Sequence, residues 1–146
     1  MRARERLLLF VALDGAPDGL DPVRLQKGMF LFAKDEAVDE DEKYQFVPYN
    51  YGPMSAQIYK DLEYLESKGL VEATPVEGQS WARYIATEDG LIQARDLLKR
   101  EPSEAPARRL HAIKQEVASK TFSAILDDVY DRYPEYAAKS IFKRAS

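Results

Sequence analysis

A single histidine, His111, and no cysteine at all supply the imidazole and thiol chemistry of this 146-residue chain. A nucleophilic dyad needs a base within hydrogen-bond reach and a group that orients it, and a zinc site needs three or four nitrogen or sulfur ligands. His111 stands among Arg108, Arg109 and Lys114 with neither, so it reads as a solvated helix residue. Carboxylates are denser, six of the eight residues from Asp35 to Glu42 being acidic. Hard cations such as Ca²⁺ or Mg²⁺ prefer such oxygens, but this run lacks the central glycine and fixed one-three-five spacing of an EF-hand loop. The expectation there is a solvated, mobile loop with no metal. The seven glycines fall singly at turns and helix ends, not in a phosphate cradle. No catalytic residue, no metal and no cofactor is therefore expected, and the chain should act by binding.

Two groups of residues are suited to that. Tyr49-Asn50-Tyr51, ahead of the Gly52-Pro53 turn, offers two aromatic faces and an amide for contact with a partner. The competing structural reading is a turn that lays both rings over the core and sets the angle of the next helix. The second group surrounds the helix expected over residues 55 to 68, where Gln57, Lys60, Tyr64 and Lys68 are side chains of the kind that read base edges. Arg83 from the hairpin behind it, and Arg24 and Lys27 off the apolar stripe of the second helix, would join them at the backbone phosphates. Further basic support would come from Arg2, Arg4, Arg6, Arg108, Arg109 and Lys114. Asp61, Glu63 and Glu66 oppose this use by placing three carboxylates against two lysines on the same helix. The formal net charge of −4 likewise excludes a protein that coats nucleic acid through bulk charge.

The elements that must hold these residues are legible from periodicity and punctuation. A first helix runs from about Arg2 to Leu13 and stops at Asp14-Gly15-Ala16-Pro17-Asp18-Gly19. Asp21 as cap and Pro22 in the first helical position open a second, reaching about Ala33 with Leu25, Met29 and Phe32 buried. Gly28 on that side permits close approach of a neighbour. Tyr44 to Pro53 is expected to be extended. Ser55 caps the third helix, to about Lys68, with Ile58, Leu62 and Leu65 inside and Gln57, Lys60, Asp61 and Tyr64 outside. Leu70 to Thr74 and Trp81 to Ala86 form a hairpin, and Thr87 caps a fourth helix ending near Arg100. This order predicts an α+β, mostly α fold that is winged-helix-like: three helices, a β-hairpin wing and appended C-terminal helices.

The winged-helix-like domain should occupy residues 1–101, followed by a proline-bearing linker at 102–106. A helical extension over 107–146 would pack on it or form a dimer seam. The stripe Phe122, Ile125, Leu126, Val129, Tyr130 and Tyr133 carries that seam, and core packing is its alternative. A last short helix is expected from Glu135 to Lys143.

Several stretches resemble a known group. Arg24-Leu25-Gln26-Lys27-Gly28-Met29-Phe30-Leu31, then Tyr51-Gly52-Pro53-Met54-Ser55, Asp61-Leu62 and Gly69-Leu70-Val71 are similar to the Panacea (SocA-like) antitoxin domains and especially to the related YwgA-like proteins. The closing Val129-Tyr130-Asp131-Arg132-Tyr133-Pro134-Glu135-Tyr136, through Ser140, looks like the YwgA-like tail. Together the matches span about residues 24 to 140. The wholly apolar Met29-Phe30-Leu31-Phe32, where Panacea helices carry aromatic and histidine positions, sets the likeness on the YwgA-like side. The resemblance implies a prokaryotic protein of antitoxin-like or regulatory type.

The expected function is a non-catalytic regulator that binds DNA through helix 55–68 and the 70–86 hairpin. The alternative is an antitoxin or adaptor that binds a partner protein, possibly a toxin, through Tyr49, Asn50 and Tyr51. The absence of cysteine suits a cytoplasmic setting. The apolar run Leu7 to Leu13 is too short to span a bilayer, so no membrane is expected.

Overall fold

The computed structural model describes residues 1–141. Its elements are α1 (Ala3–Ala12), α2 (Pro22–Ala33), a 3₁₀ turn at Glu40–Glu42, β1 (Val47–Tyr49), β2 (Gly52–Met54), α3 (Ala56–Ser67), β3 (Val71–Pro75), β4 (Ala82–Ala86), α4 (Glu88–Arg100), α5 (Ala105–Ser119), α6 (Phe122–Arg132) and a second 3₁₀ turn at Pro134–Ala137. The fold is α+β and mostly helical, with two separate antiparallel hairpins, β1–β2 and β3–β4. No helix among the described residues is long and apolar enough to cross a membrane.

Helix α2 forms the centre. Its start follows local chemistry, since the Asp21 carboxylate accepts the Arg24 N–H at 2.9 Å and Pro22 occupies the first turn. Every residue from Leu25 to Phe32 is buried, because α2 is flanked by β2, α5 and α6, with Phe10 of α1 on a further side. A Cβ at Gly28 would lie 2.3 Å from Cζ of Phe10, so the neighbour that needs this glycine is a ring and not a backbone. Phe30 receives the edges of Phe46, Tyr133 and Tyr136 at centroid distances of 5.4, 5.0 and 4.8 Å. These rings fasten the C-terminal turn to the middle of the chain.

The C-terminal helices are part of this one core. Helix α5 starts at Ala105, inside the expected linker, and packs on α2 and α1. Ile125, Leu126, Val129 and Tyr130 of α6 are buried in the same cluster, so the stripe expected as a possible dimer seam faces its own chain. The expected helix over Glu135–Lys143 is a 3₁₀ turn that ends at Ala137, and residues 142 and 143 lie outside the described residues.

The hairpin β3–β4 pairs Val71 with Ala86 through Pro75 with Ala82. Midway along β4, Leu20, between α1 and α2, exchanges hydrogen bonds with Tyr84, N–H to O at 3.0 Å and back at 2.9 Å. Helix α4 follows with its expected cap, Thr87 Oγ1 accepting the Gly90 N–H at 3.0 Å.

Candidate functional site: a tyrosine face over a buried lysine

The β1–β2 hairpin, which presents Tyr49, Asn50 and Tyr51, is fixed to the body through polar groups of α2. Gln26 forms a reciprocal pair with Ser55, its Nε2 donating to the Ser55 carbonyl and its Oε1 accepting the Ser55 N–H, both at 2.9 Å. Ser55 therefore starts α3 by being held through its backbone, and its hydroxyl makes no cap bond, contrary to the expectation. One turn along, Lys27 Nζ donates to the Pro53 carbonyl at 2.9 Å. The chain reverses at Asn50–Tyr51 and Gly52 closes the turn at φ +87°, the left-handed region that suits glycine. From the other side, the Ile141 N–H and Ser140 Oγ both donate to the Asn50 carbonyl, at 2.9 and 3.1 Å, and Tyr130 OH donates to Ser140 Oγ. Tyr51 sets its ring edge-on to Phe122 of α6 at 5.6 Å.

These anchors leave the rings outward. Tyr49 is 51% exposed, Tyr51 43% and Tyr59, on the first turn of α3, 40%. The three surround a pocket of about 140 Å³ with Val23, Met54 and Lys27. Lys27 itself is only 3% exposed. Its pKa is lowered to about 7 by burial alone, with no carboxylate to offset the loss of solvation. Beyond Tyr59 the surface continues to Tyr84 in the middle of β4, whose pKa is raised by burial, then by the nearby Glu66, Tyr59 and Glu63.

The seven residues expected to contact nucleic acid do not form one group. Lys27 is buried and not solvated. Arg24 is half-buried and fully engaged, pairing with the Asp21 carboxylate and donating to the backbone carbonyls of Val117 at 3.0 Å and Lys120 at 2.6 Å. Both were expected to be solvated, and both are used by the fold because α2 has neighbours all round. Gln57 donates to Asp61 Oδ1 at 3.0 Å. Asp61, expected on the outside of α3, is buried and accepts the Tyr44 hydroxyl at 2.6 Å. Tyr64 and Lys68 belong to the opposite edge of α3, toward α1, where the Arg4 guanidinium lies 3.8 Å from the Tyr64 ring centroid and Lys68 Nζ 5.6 Å. Lys60 is exposed on α3, and Arg83 is exposed on β4, where it shares a groove with Arg24, Asp18 and Asp21.

Two supporting cations are also inside. Arg6 forms a buried ion cluster, with Nη1 to Glu101 Oε1 at 2.6 Å and Nη2 to Glu42 Oε1 at 3.2 Å. Glu42 thereby draws the end of the acidic segment into the body, where a solvated, mobile loop was expected. Lys114 donates to the carbonyls of Val11 and Leu13, capping the C-terminal end of α1 with positive charge. Among the described residues no group of three or more His, Cys, Asp or Glu side chains is arranged to hold a metal ion. His111 is half-buried beside a groove of about 340 Å³ that also includes Asp14 and Glu104.

Sequence reasoning named Lys27 only as a solvated phosphate contact and did not single out Tyr59. The signal for Lys27 was the run Met29-Phe30-Leu31-Phe32. Four consecutive apolar residues cannot share one helix face, so α2 had to be enclosed and its lysine with it. Tyr59 was recoverable only from its neighbours in space. No family model matches this sequence, and no curated protein is similar to it.

Proposed function

We propose that the protein is a non-catalytic, antitoxin-type binding module on a winged-helix-like scaffold, and that it grips a partner protein with the tyrosine face formed by β1–β2 and the start of α3. The observation that carries this reading is the outward display of Tyr49, Tyr51 and Tyr59 on a hairpin held by buried hydrogen bonds. Tyrosine supplies large amphipathic contact area at low entropic cost and is enriched where binding energy concentrates in protein interfaces. The charges around the face suit a protein better than a phosphate backbone. Lys27 is buried, Arg24 is paired, and Glu63 and Glu66 stand near Tyr84. The likeness to antitoxin-type domains agrees with this reading.

One feature favours DNA as a second reading. The Leu20–Tyr84 bridge adds a third segment to the β3–β4 ladder behind α3, as in winged-helix DNA-binding domains, and Lys60 and Arg83 are exposed beside it. The two readings separate in one experiment. Wild-type protein and the Tyr49→Ala/Tyr51→Ala variant are tested for capture of the product of the neighbouring gene, and for a gel shift of the protein's own promoter at about 50 mM salt, where phosphate-driven affinity is strong. Capture that the tyrosine changes abolish, without a shift, is the expected result. A shift lost in Gln57→Ala/Lys60→Ala, with capture absent or indifferent to the tyrosines, overturns the protein-binding reading.

A further inference from the structure

Lys27 is an unusual group to find beneath an interface. An ammonium has three N–H donors, and the Lys27 Nζ uses one of them, toward Pro53 O at 2.9 Å. The other buried lysine, Lys114, donates to two carbonyls, one of them the carbonyl of Leu13 at the C-cap of α1. For Lys114 a structural duty accounts for the charge. Lys27 has one carbonyl and no ion pair among the described residues, yet it lines the pocket between Tyr49, Tyr51 and Tyr59. Burying an amine without a counter-charge is costly. An apolar side chain of similar length would fill the same space without that cost, and the fold gains only one hydrogen bond from the nitrogen.

The surroundings define what would complete it. Among the described residues the ionisable groups near Lys27 are tyrosine hydroxyls. Tyr130 from α6 lies on the Gly52 side, where a Cβ built on Gly52 would stand 3.6 Å from both Lys27 Cε and Tyr130 OH. Tyr49 and Tyr51 from the hairpin and Tyr59 from α3 form the rim. Among the described residues no carboxylate contributes to the Lys27 site. The pocket, about 140 Å³ with a largely apolar lining, has room for a short aliphatic stem and one charged end.

We infer that Lys27 is the anchor for an acidic side chain of the partner, which enters between Tyr49 and Tyr59 with its methylene stem against the rings and its carboxylate on Nζ. This rests on the protein-binding reading of the tyrosine face and adds the chemistry of the contact at its centre. It also explains why a cation is kept below a face that otherwise binds through aromatic area. The carboxylate supplies the missing counter-charge only when the partner is seated, so a partner lacking the acid is rejected by an unpaired buried amine.

The test uses butyrate as the acidic side-chain probe and butyramide as its neutral counterpart, with the Lys27 amine followed by NMR in the full chain. Butyrate should raise the Lys27 titration midpoint by about one unit or more, as an opposite charge at contact distance does, and butyramide should leave it in place. Lys27→Met should abolish the butyrate-induced shifts at the Gly52 and Met54 amides. A midpoint that butyrate does not move, or equal responses to the two probes, overturns the inference, and neither readout needs the methionine variant to fold. Tyrosine variants that lose protein capture while butyrate leaves Lys27 unmoved would keep the protein-binding face and remove the carboxylate. A butyrate response beside capture that ignores the tyrosines would do the opposite.

Discussion

The two hairpins leave the helical body in the same antiparallel form but are secured in opposite ways. β1–β2 has strands of only three residues and is pinned along its length, by Lys27 at Pro53, by Gln26 at Ser55 and by Ser140 and Ile141 at Asn50. β3–β4 has five-residue strands and is secured at mid-strand, where Leu20 meets Tyr84, and at its root, where Gly90 lies against Leu70. The pinned hairpin carries the exposed tyrosines, while the tip of β3–β4 carries Glu77, Gly78, Gln79 and Ser80 in solvent. A surface that binds through aromatic area gains by being fixed before the partner arrives, since ordering it on contact would subtract from affinity. That difference is the structural argument for placing function on the shorter hairpin.

The largest effect should come from the root of β3–β4. A Cβ at Gly90 would stand 2.0 Å from the Leu70 carbonyl oxygen, a clash with backbone that no rotamer change relieves. Gly90→Ala should cost about 3 kcal/mol or more in urea unfolding. A loss below about 1 kcal/mol would mean that the root of β3–β4 yields, and the contrast between the hairpins would weaken.

Next comes the pinned hairpin's dependence on pH. Lys27 has its folded pKa lowered to about 7 and Lys114 to about 8, against 10.5 for a free lysine. Between these values and 10.5 the unfolded chain binds more protons than the folded one, so stability rises with pH, by up to about 1.4 kcal/mol per unit for each amine. Below about pH 7 both amines are charged in either state and the dependence from this source ends. Urea midpoints at pH 7, 8 and 9 should increase in the wild type and increase less in Lys27→Met. The range stops short of pH 10, where tyrosines with raised pKa, such as Tyr44 and Tyr59, pull in the other direction. A Lys27→Met protein with the wild-type slope would show that this amine stays charged in the fold.

Gln26→Ala should cost about 2 kcal/mol, because the Ser55 N–H would be buried without a partner and the Ser55 carbonyl would keep the Ile58 N–H at 3.3 Å but lose its bond to Gln26. It should also reduce partner capture while leaving Tyr49 and Tyr51 in the sequence. A variant that loses stability but keeps full capture would show that the tyrosines do not need a fixed hairpin.

How much of this was legible depended on the range of the interactions. The Asp21–Pro22 start of α2, the Thr87 cap and the β3–β4 ladder are decided within a few residues, and local patterning located them. The fate of Arg6, Arg24, Lys27, Asp61 and Lys114 is decided by partners far along the chain, 101 and 103 residues away for Lys114 and 17 for Asp61. Each is a charged residue that helical periodicity alone assigns to solvent. Tyr49, Asn50 and Tyr51 were identifiable as a cluster, but only the structure adds Tyr59 beside them and Lys27 below.

The finest comparison sets the two hairpin glycines against each other. Gly52 and Gly78 both have positive φ, +87° and +77°, so alanine at either is strained by about 1–2 kcal/mol. Their surroundings differ, because a Cβ at Gly52 meets Tyr130 at 3.2 Å while one at Gly78 meets nothing within 4 Å. Gly78→Ala should therefore show backbone strain alone, about 1 kcal/mol, and leave binding unchanged. Gly52→Ala should lose more stability and displace the Tyr49–Tyr51 turn from its seat on Tyr130. The difference between the two variants, read by urea unfolding and by partner capture, isolates what the seat contributes. Equal losses in both readouts would mean that the shorter hairpin is no better fixed than β3–β4.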